Sequence, residues 1–338
     1  MSRFFFTTLS LLLLCVAMDS LGQPGAANQR GEVESLYQRG FEAFRAGRSF
    51  EALELLGAVA AQNPAFRDVQ MLLGQSCLVS GRMLPAKKHF EAALQQNPQN
   101  GHAAFLLGFA LLQSARYFEA DQALAKAQSM AQGNPHPQIY RGLALLRLGK
   151  PSEARLQIAA ALKRVPDDPI AQSAMAELDL ADGRFAQAES GIRAVLLANP
   201  ANLESQILLG RILLDSGKAA ESVPVFQSAI EGQPPRSDLL YLLGQSLLRS
   251  GQVEEGREVM SRFKALKALE GEIRVLEVAV STDASDAEAR LELAQRMVEG
   301  GLATQAMLHI VTLEKQLPKD SRVRQLRARL EAQRSAGS

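Results

Sequence analysis

Tryptophan is absent from the 338 residues, and aromatic side chains make up only 5% of them. A β-sandwich built on large rings is therefore not expected. Saccharide recognition, which favours stacked rings, has little to work with. Ile, Val and Thr never gather into alternating runs, so half-buried strands are not expected either. Charge of one sign is also missing. The formal net charge of +1 leaves no global field to attract nucleic acid or an anionic membrane. Cysteine is scarce, with two residues, Cys15 and Cys77. Cys77 reads as a small buried side chain, because no activating His or second Cys lies near it in the sequence.

Long apolar runs are missing too, with one exception. Phe4 to Met18 is nearly unbroken, follows Arg3 and precedes the small residues Ser20 and Gly22. It is shorter than the roughly 20 residues of a spanning helix. The pattern predicts a secretory signal peptide over 1–22, cleaved near Gln23, with a linker over 23–32. An uncleaved anchor is the alternative. A lipid on Cys15 is a further one, although Leu14 stands where such a motif usually has Gly, Ala or Ser. After cleavage only Cys77 remains, and one thiol cannot form an internal disulfide.

What the chain does contain is helix formers, chiefly Ala, Leu, Gln, Glu and Arg, and a repeat. Steps of 34 residues from Gly40 reach Gly74, Gly108, Gly142, Ala176, Gly210 and Gly244. A second column is Gly47, Gly81, Ala115, Gly149, Gly183, Gly217 and Gly251. A third is Ala52, Ala86, Ala120, Ala154, Ala188, Ser222 and Gly256, and a bulky fourth is Leu56, Phe90, Leu124, Ile158, Ile192, Phe226 and Met260. Pro64, Pro98, Pro166, Pro200 and Pro234 form the last, broken only at Gln132.

Each column has a physical reason. A small residue in the first helix lets a second helix approach, and Gly at the helix end supplies a left-handed turn. Alanine marks the crossing within a hairpin, with the bulky residue one turn further along the same face. Proline, which has no N–H, ends the second helix. No unit can bury its apolar face alone, so neighbours must stack.

This pattern resembles the tetratricopeptide repeat family. The resemblance covers 33–270 as seven units and implies an all-α, right-handed superhelical solenoid of helix–turn–helix repeats. It also implies protein binding without catalysis or a cofactor. The register then breaks. Leu293, Ala294, Gly301, Ala306, Ile310 and Pro318 mark an eighth unit over 287–320, displaced by a helical insertion over 271–286. That insertion reads either as a longer second helix or as an unpaired one. Residues 321–338 read as a capping helix and tail, with Val323, Leu326 and Leu330 inward and Arg322, Arg324, Arg327, Arg329 and Arg334 outward. A basic patch for an acidic partner is the other reading of those arginines.

In the family, two first-helix positions four residues apart commonly meet the ligand. Carried over by register they are Tyr37/Phe41, Met71/Gln75, Phe105/Phe109, Ile139/Leu143, Ser173/Glu177, Ile207/Arg211 and Tyr241/Gln245. The resemblance thus places the partner site at Tyr37, Phe41, Met71, Gln75, Phe105, Phe109, Ile139, Leu143, Arg211 and Tyr241. One subtype grips a C-terminal carboxylate with Lys and Asn here. Tyr37, Phe41, Met71 and Gln75 depart from it, so that capture is not expected. An aromatic groove suits an apolar peptide or an amphipathic helix. Tight curvature of the array would instead bury these side chains against neighbouring first helices.

Chemistry has little foothold. His102 and His136 are one period apart, yet no third and fourth metal ligand is evident. His89 and His309 read as surface or partly packed residues of second helices. There is no phosphate-cradling glycine loop, no nucleophile–base arrangement, and no basic stripe for nucleic acid beyond the last helix. The expectation is an exported scaffold, periplasmic or extracellular, that holds a protein or peptide. Membrane contact is expected only through the N-terminal segment or a lipid on Cys15. A tethered assembly factor of an envelope machine and a small-ligand or saccharide-binding solenoid are the alternatives.

Overall fold

A computed structural model of the chain describes residues 24–130, 133–231 and 234–336. The expected signal segment over 1–22, Cys15 and Gln132 lie outside the described residues. Among those described there are 17 helices and no strand, which is the all-α architecture that the repeat implied. The helices fall into two compact units that divide at Ala174 and Met175.

The first unit begins with α1 (Pro24–Arg45) and α2 (Ser49–Gln62). Three further hairpins follow: α3 (Val69–Val79) with α4 (Met83–Gln96), α5 (Gly101–Gln113) with α6 (Tyr117–Met130), and α7 (His136–Arg147) with α8 (Pro151–Leu162). The division falls inside α9 (Pro169–Ala181). Each hairpin closes in the same way. The N–H of Arg48, Arg82, Arg116 or Lys150 reaches back five residues to a helix-end carbonyl at 2.8–2.9 Å. That closure needs the preceding residue in the left-handed region, where Gly81 sits at φ +71 and Ala115 at +57. Helix starts are capped by Asn100 and Asp168, whose side chains accept the N–H of Ala103 and Ala171 at 3.0 and 2.8 Å. The third-column alanines Ala52, Ala86, Ala120 and Ala154 have no exposed surface, and Leu72, Leu73 and Cys77 are buried as well. Burial pushes the Cys77 thiol up, which keeps it protonated and unreactive.

The small and bulky columns meet within each hairpin. A β-carbon built on Gly40, Gly74, Gly108 or Gly142 would come within 2.5–2.8 Å of Leu56, Phe90, Leu124 or Ile158. The glycine is thus the socket for the side chain 16 positions on.

The second unit contains α10 (Phe185–Ala198), α11 (Leu203–Asp215) with α12 (Ala219–Ile230), and α13 (Ser237–Arg249) with α14 (Val253–Thr282). It ends in α15 (Ala287–Glu299), α16 (Ala303–Gln316) and α17 (Ser321–Ala336). The same socket recurs at Gly210 with Phe226 and at Gly244 with Met260. The register break resolves as one continuous 30-residue helix, α14. Its first part packs Val259 with Leu243 and Leu247 of α13, and its last part packs Ile273 and Val280 against α15. Leu293, Ala294, Ala306 and Ile310 of the eighth hairpin are fully buried. Helix α17 closes this core with Val323, Leu326 and Leu330.

A polar staple also repeats. In the first unit the Pro64 carbonyl accepts from Gln70 and Gln96 at 3.1 and 2.8 Å. In the second the Ala284 carbonyl accepts from Arg290 and Gln316 at 2.6 and 3.2 Å. The displaced hairpin therefore rebuilds the same junction with an arginine in the place of a glutamine.

Candidate functional site

In the first unit the first-helix positions gather into two aromatic clusters. Tyr37 lies parallel to Phe41 with centroids 6.3 Å apart, and Phe66 meets Tyr37 edge-on at 5.5 Å. The Arg67 guanidinium stands over Tyr37 at 5.1 Å and over Phe66 at 5.5 Å, while Arg45 covers Phe41 at 5.9 Å. The Tyr37 hydroxyl donates to Asp68. Burial, and then that bond to a carboxylate, push its pKa up to about 12. Tyr37 is thereby a fixed post, and Phe41 is the half-buried ring beside it.

The second cluster has Tyr140 at its centre. Phe105 and Phe109, one turn apart on α5, both meet the Tyr140 ring edge-on at 5.4 Å. Phe105, Phe109, Tyr140 and Leu143 are all half-buried, so each keeps a face toward solvent. Burial raises the Tyr140 hydroxyl, and the Asp168 charge adds to it.

The remaining positions separate by burial. Met71 and Ile139 are 9% and 0% exposed and pack into the hairpins. Gln75 is half-buried and lies 3.4 Å from His102 through its amide nitrogen. In the second unit Arg211 is exposed. Tyr241 is 39% exposed, rests on Phe263 at 5.2 Å, and accepts from Gln245 at 2.6 Å. Phe66, Arg67, Tyr140 and Phe263 were not singled out by the pair rule. Tyr140 follows Ile139 directly, and testing the neighbour of each pair position for aromatics would have found it.

His89 contacts the Gln70 side-chain oxygen at 2.9 Å and is partly packed. Among the described residues no three His, Cys, Asp or Glu side chains gather to hold a metal ion. The second unit has a cleft of about 530 Å³ along α15, with Leu276 and Leu291 beside Glu288, Glu292, Arg296 and Arg322. Its arginines are already engaged, Arg322 by Glu288 and Asp320 and Arg296 by Glu272 and Glu299. No described helix is long and apolar enough to cross a membrane.

Stacked hairpins joined by socketed glycines, with aromatics on the first helices, define a helical-repeat protein. Tetratricopeptide repeat profiles match residues 81–140 and, in a second profile, 37–84, 141–202, 173–237 and 207–270. The chain belongs to the tetratricopeptide repeat family. No curated protein matches it. Its fold is similar to that of a tetratricopeptide repeat protein from Parabacteroides merdae, with TM-score 0.57 and 16% identity, over 70% of this chain and 93% of that one. PilW, a type IV pilus biogenesis factor, is similar with TM-score 0.53 and 20% identity, over 59% of this chain and 92% of that one. PilF of Pseudomonas aeruginosa is similar with TM-score 0.50 and 19% identity, over 61% and 95%. At these identities the likeness is one of fold.

Proposed function

We propose that the chain is an exported, non-catalytic scaffold that holds a protein or peptide segment on the first-helix surface of its first unit. The observation behind this reading is the Phe105–Phe109–Tyr140 cluster, in which two half-buried rings each meet the half-buried Tyr140 ring edge-on. Rings held this way lose little freedom on binding, which is what makes aromatic anchors effective. Leu143 and, in the first hairpin, Phe41 extend the apolar surface. An apolar peptide or the apolar face of an amphipathic helix is the occupant that fits it. Met71 and Ile139 support this surface from below, with little or no area of their own to offer. Export to the periplasm or the cell exterior rests on Arg3 and the run from Phe4 to Met18.

A second reading makes the protein a membrane-tethered assembly factor of an envelope machine. It draws on the same apolar run, kept rather than removed. PilW, similar in fold, is a type IV pilus biogenesis factor.

Affinity capture from the native extract, run beside a Phe41→Ala/Phe105→Ala/Phe109→Ala variant, tests the first reading. The variant must keep its helicity by circular dichroism. A protein retained by the wild type and released by the variant supports the groove. Equal retention by both defeats it. Intact mass of the mature chain separates the two readings, since the tether requires the segment or a lipid to remain.

A further inference from the structure

The hairpin turns of the first unit carry a second apolar surface, away from the first-helix aromatics. Phe50, Leu84 and Phe118 occupy one register position, the start of the second helix, in three successive hairpins. They are 79%, 60% and 63% exposed. Val79, at the end of α3 in the same row of turns, is 71% exposed. These side chains stand exposed at the turn ends of their helices.

Phe50, Leu84 and Phe118 each have a cation two positions before them, Arg48, Arg82 and Arg116, and Lys150 continues the row in the fourth hairpin. Over 45–51, 79–85, 113–119 and 147–153 there are six cations and three carboxylates, a net +3. The register equivalents in the second unit, 181–187, 215–221, 249–255 and 299–305, hold three cations and six carboxylates, a net −3. There the projecting positions are Ala186, Ala220, Glu254 and Thr304, and the fourth hairpin of the first unit has Ser152. The periodic scaffold is the same in both, so the fold does not require the apolar and basic character of the first row.

Three of the cations pair with a glutamate on the next turn: Arg48 with Glu51 at 3.1 Å, Arg116 with Glu119 at 2.5 Å and Lys150 with Glu153 at 3.5 Å. These pairs are about half exposed, so they are weak and exchange readily for a phosphate group.

We infer that this turn edge docks the first unit on an anionic lipid surface, with Phe50, Leu84 and Phe118 entering the interfacial layer and the arginine row meeting the headgroups. A row of projections needs a complementary groove on a protein partner, whereas a bilayer interface yields to it. Aromatic and aliphatic tips beside arginines are what that interface accepts. The +1 net charge of the chain hides this row, because the second unit's acidic turns cancel it.

The absence of tryptophan gives a clean reporter. Full-length chains carrying Phe118→Trp, or Ala220→Trp as the second-unit control, are mixed with vesicles of phosphatidylcholine, with and without phosphatidylglycerol. The expected result is a blue shift and quenching by brominated lipid for Phe118→Trp on the anionic vesicles, weakened by salt, with Ala220→Trp unchanged. Phe50→Ser/Leu84→Ser/Phe118→Ser should lower vesicle partitioning at least about tenfold with helicity intact. Unchanged Phe118→Trp emission while the chain co-sediments, or equal shifts at both reporters, overturns the inference, because binding then runs through another segment. No vesicle response, together with loss of a captured protein in the triple serine variant, also overturns it and makes the row a protein-docking edge.

Discussion

Gly74 and Phe90 share one space: a β-carbon on Gly74 would stand 2.5 Å from Cε1 of the Phe90 ring. Phe90 is fully buried, so the ring has nowhere to swing. Gly74→Ala should therefore destabilise the first unit by about 1–3 kcal/mol, the usual scale of overpacking. In the second unit the same two positions are Ala176 and Ile192, both buried in one core. Gly74→Ala combined with Phe90→Ile should thus recover part of the loss. A double-mutant cycle in urea measures the coupling, and additive effects would refute the shared-space account.

Ala115 and Gly271 each stand where the other type belongs. Ala115 holds φ +57, which strains an L-residue, while Gly271 lies mid-helix in α14 with nothing within 4 Å of its missing β-carbon. Ala115→Gly and Gly271→Ala should each stabilise by roughly 0.5–1 kcal/mol. Chemical denaturation of the two single variants checks both.

His89 and His309 should make stability fall in mild acid. Burial lowers the pKa of both from 6.5, with Arg82 adding to it at His89 and Arg290 at His309. As pH falls the unfolded chain takes up these protons first, so their contribution is present above about 6.5 and is lost as pH drops through the folded values. At His309 the effect is sharpened because its Nδ1 and Arg290 Nε are buried without partners among the described residues. Denaturant midpoints at about pH 7.5 and 5.5 should differ less in His89→Gln and His309→Gln than in the wild type.

Leu330 and Arg322 both attach α17, yet they should differ widely in effect. Leu330 is fully buried against the eighth hairpin, so Leu330→Ala should destabilise the second unit by about 2–5 kcal/mol. Arg322 grips Glu288 at 2.6 and 2.9 Å in the open, where water and salt screen it. Its replacement by Ala should move Tm little, and added salt should erase the difference.

The repeat was legible because each column serves a backbone or packing demand that few residue types satisfy. Gly40 to Gly244 had to be small for Leu56 to Met260 to seat, and periodicity exposes such a demand without coordinates. The site was less legible. Phe105 and Ile139 stand at the same register position, yet Ile139 is sealed and Phe105 keeps a face in solvent. That difference depends on how closely adjacent first helices approach, which composition does not encode. Tyr140 escaped because it sits one residue beyond its pair position and reaches back to α5. The displaced eighth hairpin left two readings open, since apolar spacing in Ile273, Leu276 and Val280 suits a continuous helix and a separate one equally.

The continuous α14 changes how the end of the chain can open. Where hairpins are joined by loops, each can detach in turn, and amide exchange grades from the end inward. Here 30 residues of unbroken hydrogen-bonded backbone belong at one end to the core of α13 and at the other to the core of α15–α17. Releasing the last hairpin at the turn over 283–286 uncovers Ile273 and Val280, which ride on a helix whose other end is held in the α13 core. Amides from α13 through α17 should therefore exchange as a single block, giving the C-terminal end one threshold of opening where a looped array would have several.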